Sequence, residues 1–163
     1  MDKVSLILLS VIALTAFTMC TNDESSKEIP KLQAFTRTGC KSYTPQNVDM
    51  RRSLGAETIY YEATSDNCLM INHVNALLPC EAEISTDVVV EGNVITISEN
   101  GKDSGLNCVC SYDLTMKIGP LKVGNYKVVI CRDDFQFQYL TFDINYSPSL
   151  QGEIRLKVEE EIN

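Results

Sequence analysis

The sequence predicts an all-β protein, an antiparallel β-sandwich of about seven or eight strands stapled by disulfides. Three observations predict it. From Glu57 onward the apolar residues recur with a period of two, the mark of strands with one buried face. In the clearest stretch Cys108, Cys110, Tyr112, Leu114, Met116 and Ile118 share one face, while Ser111, Asp113, Thr115 and Lys117 share the other. The strands are short and separated by turn signals, and no amphipathic helix lies among them. That combination selects a two-sheet sandwich.

The chain opens with Met1-Asp2-Lys3, followed by an uncharged, mostly apolar run from Val4 to Met19 that ends at Cys20. The polar residues Asn22-Asp23-Glu24-Ser25-Ser26 cannot continue it. The run is too short to cross a bilayer comfortably and has the layout of a secretory signal. Seven cysteines are present: Cys20, Cys40, Cys68, Cys80, Cys108, Cys110 and Cys131. An odd number in an exported chain leaves one to explain, and lipidating Cys20 leaves six for three disulfides in an oxidising compartment.

Over Leu14 to Ser26 the chain resembles a bacterial lipoprotein of the Bacteroidetes kind, with Met19 and Phe17 where that family usually carries a small and a leucine-like residue. The resemblance implies that the mature chain begins at Cys20 and is held at the outer membrane by acyl chains. Asp23-Glu24 resembles the tags that send such lipoproteins to the outer face; otherwise these acids only solubilise the tether. The alternative for Cys20 is ordinary cleavage near Thr18, leaving it a thiol near a free N-terminus.

The expected organisation is then a signal peptide over 1–19, a lipid-anchored tether over 20–30, an irregular segment over 31–56 packed on the domain, and a sandwich over 57–163. Thr21 to Ile29 is polar, as a tether requires. Lys31 to Gly55 follows Pro30, contains Gly39 and Pro45, and has weak periodicity, with Cys40 expected to staple it to the domain.

Each later strand has its own pattern. Ile59, Tyr61 and Ala63 alternate, and Cys68 to Val74 is apolar on both sides. A two-residue turn at Gly92-Asn93 pairs Val90 with Ile95 and Val88 with Ile97, all on one face. Tyr126, Val128 and Ile130 point inward. Phe135, Phe137 and Tyr139 alternate, then Leu140, Phe142, Ile144 and Tyr146 alternate in the opposite phase; that slip reads as a β-bulge. Ile154, Leu156 and Val158 form a last short strand. Leu121-Lys-Val-Gly124-Asn-Tyr126-Lys-Val128 resembles the L-x-x-G-x-Y-x-V segment of immunoglobulin-like and fibronectin type III-like sandwiches. The resemblance implies that fold, with the tyrosine hydroxyl bonding back to backbone at a corner.

Charge narrows the partners. The formal net charge is −8 and no basic run exceeds Arg51-Arg52, which argues against nucleic acid and anionic membrane surfaces. The expected membrane contact is the lipid alone. Cys108-Val-Cys110 with Cys68, Cys80 and His73 invites a zinc reading, but zinc knuckles space cysteines as C-x2-C, and exported cysteines are oxidised. Neither metal nor cofactor is expected.

Parity sorts the bridges. In the hairpin expected around Gly119 to Gly124, Cys110 points inward and Cys131 outward, so the two do not bridge unless a bulge intervenes. Cys108 and Cys110 are expected to reach Cys68 and Cys80 in an unassigned order, leaving Cys131 for Cys40.

Catalytic signals are sparse. His73 is the only histidine and sits in an apolar strand, where a hydrogen-bonded structural role fits better than a nucleophile system. Asp113, Asp133, Asp134 and Asp143 lack calcium-loop spacing. Gly101 to Gly105 lacks phosphate-loop spacing. Tyr43, Tyr60, Tyr61, Tyr139 and Tyr146 are candidate sugar-facing aromatics or core residues. No catalysis is expected. The expected role is a lipid-anchored envelope binding module for a glycan or protein; the alternative is a structural or adhesion subunit of a surface assembly. Cys20→Ala should release the mature protein from membranes, and mass spectrometry of the mature N-terminus should find a lipid-modified Cys20.

Overall fold

The computed structural model describes residues 28–41, 56–102, 108–132 and 137–156. Cys20 and the apolar run before it lie outside these residues, as do Tyr43, Asp133 and Asp134. Among the described residues, no helix is long and apolar enough to cross a membrane. The described residues form nine strands in two packed sheets: β1 (Lys31–Arg37), β2 (Thr58–Ala63), β3 (Leu69–Pro79), β4 (Glu83–Glu91), β5 (Val94–Lys102), β6 (Val109–Gly119), β7 (Gly124–Arg132), β8 (Phe137–Tyr146) and β9 (Gln151–Arg155). One sheet has the order β1-β6-β3-β2-β9 and the other β4-β5-β7-β8.

Period-two patterning builds the core between them. Leu69, Ile71, Leu114, Met116 and Ile118 of the first sheet are fully buried, facing Ile95, Ile97, Val128 and Ile130 of the second. In the β4–β5 hairpin Val88 opposes Ile97 and Val90 opposes Ile95, the register expected from the turn at Gly92-Asn93. Gly92 takes a φ of +58° at the first turn position, where a side chain is disfavoured. Tyr126 donates its hydroxyl to the backbone oxygen of Lys122 at 3.0 Å, closing a corner just before β7.

Three features depart from expectation. Lys31–Arg37, expected to be irregular, is a strand paired with β6. A register shift between Leu32 and Ala34 puts Leu32 and Phe35 on the same side despite opposite parity, which is why their alternation is hidden. Gln33 fills the irregularity by donating its side-chain amide to Gly119 O at 2.7 Å. Second, β6 and β7 are not a hairpin: they lie in different sheets. Leu121 is buried and donates its N–H to Asn67 O at 2.7 Å, which holds the connection across the end of the sandwich. Even-numbered residues of both strands still face inward, because two stacked sheets share one core. Third, the sandwich is not wholly antiparallel, since β5 and β7 pair in parallel. The intervening β6 crosses to the other sheet and reverses direction, so its two neighbours in sequence run the same way.

The six described cysteines form two bridges, Cys40–Cys110 and Cys80–Cys108. The Cys110 and Cys80 sulfurs lie 3.2 Å apart, so all four cysteines gather where β3 ends and β6 begins. Cys40 thus staples the N-terminal segment to Cys110, not to Cys131, while Cys68 and Cys131 are buried thiols. Burial pushes both thiols above the usual cysteine range. Distance explains why these two do not pair. The backbone oxygen of Cys68 accepts from the Tyr146 hydroxyl at 3.3 Å, and Tyr146 opposes Gly124 at the start of β7. Cys131 lies seven residues further along, roughly 23 Å at about 3.3 Å per residue. Non-reducing peptide mapping should therefore yield Cys40–Cys110 and Cys80–Cys108. Cys68 and Cys131 should be alkylated only after denaturation; a linked peptide containing either would contradict the structure.

Candidate functional site

Charged residues on the inward phase of a strand have to find partners inside the sandwich; here three such residues do so, with Glu57 and Tyr139 completing the group. His73 continues the inward phase of Leu69 and Ile71 on β3, Glu99 continues Ile95 and Ile97 on β5, and Arg132 continues Val128 and Ile130 on β7. Glu99 and Arg132 oppose one another in the parallel pair. Glu57 enters just ahead of β2. Tyr139 arrives through the β7–β8 register shift: Ile130 opposes Leu140 and Cys131 opposes Gln138, leaving Tyr139 as the extra residue. That shift lies at the phase slip seen in the sequence, and it lets Tyr139 and Leu140 both pack against the core.

The geometry is a closed hydrogen-bonded network. His73 Nδ1 lies 2.8 and 3.0 Å from the two Glu99 carboxylate oxygens, and Nε2 lies 2.8 Å from Glu57 Oε1. Arg132 Nη2 reaches Glu99 at 3.3 Å and Glu57 at 3.4 Å, and its Nη1 donates to Leu77 O at 3.1 Å. The Tyr139 hydroxyl donates to Glu57 Oε2 at 2.5 Å, and the Arg132 guanidinium carbon stands 4.6 Å from the centre of the Tyr139 ring. His73 and Glu99 are fully buried. Two carboxylates, a guanidinium and an imidazolium make the group electrically neutral. Arg132 Nε is buried with no hydrogen-bond partner among the described residues.

The protonation states follow from this packing. Burial alone would drive the proton off His73, but the Glu99 charge and the bonds to Glu57 and Glu99 outweigh it and lift the imidazole to about 9. For Glu57, burial pushes upward; the bonds from His73 and Tyr139 and the His73 and Arg132 charges prevail and hold the carboxyl below its usual value. Burial, then the bond to Glu57, raises the Tyr139 phenol. An imidazolium donating from both nitrogens has no lone pair to offer, and it has no access to solvent. His73 in this state is a buried cation bridging two carboxylates.

The strand irregularity after His73 is held separately. The β3–β6 register shifts between His73 and Ala76, and Asn75 sits there with a φ of 60°, which asparagine tolerates. Its N–H donates to Asp113 Oδ1 at 2.9 Å, and Lys41 bonds both Asn75 and Asp113. Asp113 is thereby a structural partner, and Asp143 is an exposed strand residue paired with Lys127 at 3.1 Å. Among the described residues no group of three or more histidine, cysteine or carboxylate side chains is arranged to hold a metal ion.

A second arrangement lies on the outer face of the five-stranded sheet. Tyr60 stands between Asn72 of β3 and Glu153 of β9, and Glu62 stands beside Gln151. Together they line a concavity of about 470 Å³. Tyr60 is 41% exposed, the one aromatic among the exposed large apolar residues described. Below it Tyr61 faces the core, stacked on Phe142 at 5.5 Å between ring centres. Its ring lies so close to Gly152 that a Cβ there would fall 2.3 Å from the Tyr61 hydroxyl oxygen. Asn72 accepts a hydrogen bond from Thr115 at 2.8 Å, and Glu153 pairs with Arg155 at 3.2 Å. Tyr60, Glu62 and Gln151 have no side-chain hydrogen bond to any described residue. Of the other candidate tyrosines, Tyr139 belongs to the buried network and Tyr146 to the core.

Compared with family models, curated proteins and solved structures, the chain matches none.

The pH dependence of stability follows from the two shifts. His73, raised above its ordinary 6.5, stabilises the fold fully below pH 6.5, and that contribution is lost as pH rises through about 9. Glu57, lowered below 4.5, contributes above pH 4.5 and loses its contribution as pH falls through its folded value. The network is therefore most stabilising between about pH 4.5 and 6.5. Urea titrations should show unfolding free energy declining from pH 6.5 to 9. His73→Gln should flatten that decline and cost about 3–5 kcal/mol below pH 6.5, because it leaves two buried carboxylates, Glu57 and Glu99, with Arg132 as their one cation.

Proposed function

We propose that the chain is a lipid-anchored binding module of the cell envelope that carries out no chemistry. The observation that carries the binding role is the outer-face concavity around Tyr60. It combines one exposed aromatic ring with carboxylate and amide groups, and the side chains of Tyr60, Glu62 and Gln151 are uncommitted to the fold. A small number of polar groups converging on an aromatic surface is the usual composition of a recognition site. The non-catalytic part rests on His73, whose two nitrogens are both occupied by carboxylates in the interior.

The anchor at Cys20 is supported by the apolar run before it and the polar tether after it, and not by the cysteine count, since two cysteines of the domain are unbridged; such an anchor would hold the domain at the outer membrane. An immunoglobulin-like identity for the sandwich is supported by the Tyr126–Lys122 corner bond that follows from the L-x-x-G-x-Y-x-V segment. The parallel β5–β7 pair departs from the all-antiparallel form of that plan.

The full chain should bind immobilised cell-envelope extract, and Tyr60→Ala should weaken that binding at least tenfold while leaving the circular dichroism spectrum unchanged. Absence of binding, or binding equal in the two proteins, would remove the role. A subunit of a surface assembly joined through an edge strand would associate independently of Tyr60.

A further inference from the structure

Resting on the binding role above, we propose that the concavity around Tyr60 takes a neutral saccharide, with one sugar ring lying on the tyrosine. The lattice of the sheet sets the geometry. Tyr60 is flanked across the strands by Asn72 on one side and Glu153 on the other, at the ordinary cross-strand separation of about 5 Å. Glu62 lies two residues along β2, about 7 Å away on the same face, with Gln151 directly opposite it. The ring therefore has hydrogen-bonding groups on both sides and at one end.

The chemistry of those groups selects the ligand class. Glu62 offers acceptors only, while the amides of Gln151 and Asn72 offer donors as well as acceptors. A sugar hydroxyl donates and accepts at once, so it can engage both kinds, while the C–H face of its ring covers an aromatic surface. The uncommitted side chains are Tyr60, Glu62 and Gln151; Asn72 has its carbonyl oxygen fixed by Thr115, which orients the amide.

Charge and shape exclude the neighbouring classes. Glu62 and Glu153 stand beside the ring on a chain of net charge −8, which disfavours acidic polysaccharides and phosphorylated ligands. The nearby cations are engaged, Arg155 with Glu153 and Lys117 with Asp66. A protein partner needs a contiguous apolar centre ringed by polar groups, whereas Tyr60 stands alone among polar neighbours.

Affinity electrophoresis of the full chain tests this, in gels containing mixed-linkage β-glucan, xylan, galactomannan or dextran, with polygalacturonate as the acidic probe. At least one neutral polysaccharide should retard the chain. Tyr60→Ala should weaken the retardation at least tenfold, Tyr60→Phe should retain it, and Glu62→Gln should weaken it severalfold. No retardation by any neutral polysaccharide, equal retardation of Tyr60→Ala, or stronger retardation by polygalacturonate would overturn the proposal. If Tyr60-dependent binding to envelope extract is found but is destroyed by protease and spared by periodate, the saccharide assignment fails while the binding role stands.

Discussion

The fold is organised around one constraint: charges enclosed by the two sheets have to be neutralised inside them. His73 and Glu99 are wholly inaccessible, and their partners come from both layers. An isolated ion in such a place would cost several kcal/mol, so strand positions that bring all five groups together are favoured over any that separate them. A slip of one residue in β3, β5 or β7 would turn His73, Glu99 or Arg132 to the opposite face and strand its partners. Apolar residues of similar volume can equal such a network in stability, since they avoid the cost of desolvation. What they would not supply is the penalty for wrong register. The irregularity that lets Tyr139 reach Glu57 and the one that follows His73 both adjoin this group, so the distortions of the ladder are concentrated where the polar partners meet.

Parity made much of this legible. Ile95, Ile97 and Glu99 share a phase, as do Val128, Ile130 and Arg132, and Leu69, Ile71 and His73. Three ionisable residues at the ends of inward-facing runs are a signal of a buried polar group, and reading the runs only for their apolar members overlooks it. Glu57 has no comparable signature, because it precedes its strand. The β4–β5 register and the shift at Tyr139 were legible because each depends on neighbours in sequence. The placement of β6 and β7 in separate sheets was not, since inward residues keep the same parity whether two strands face one another or lie side by side.

The outer face shows the same division. Alternation along β2 turns Tyr61 inward and Tyr60 outward, so the orientation of each ring follows from local sequence. That β9 lies against β2, bringing Gln151 and Glu153 beside Tyr60 and Glu62, depends on pairing across some ninety positions of chain and is written in no short pattern. Gly152 is the partial exception. Its missing side chain lets the Tyr61 ring lie directly beneath β9, where a Cβ would collide with it. Likewise, seven cysteines suggested three bridges in the domain, but sequence parity carries no information about the length of a sheet. The span of β7 keeps Cys68 and Cys131 at opposite ends.

The Cys40–Cys110 bridge also determines how the domain carries mechanical load. Tension on the N-terminus enters at Lys31, which pairs with Gly119 at the far end of β6. Because β1 lies at the sheet edge and pairs with β6 alone, its backbone bonds carry such tension first. Three residues beyond Arg37 the covalent link passes the load to Cys110 in an interior strand. β6 is in turn tied to β3 by their ladder of hydrogen bonds and by the Cys80–Cys108 bridge beside it, so the load reaches the interior of the sheet through covalent links and not through β1.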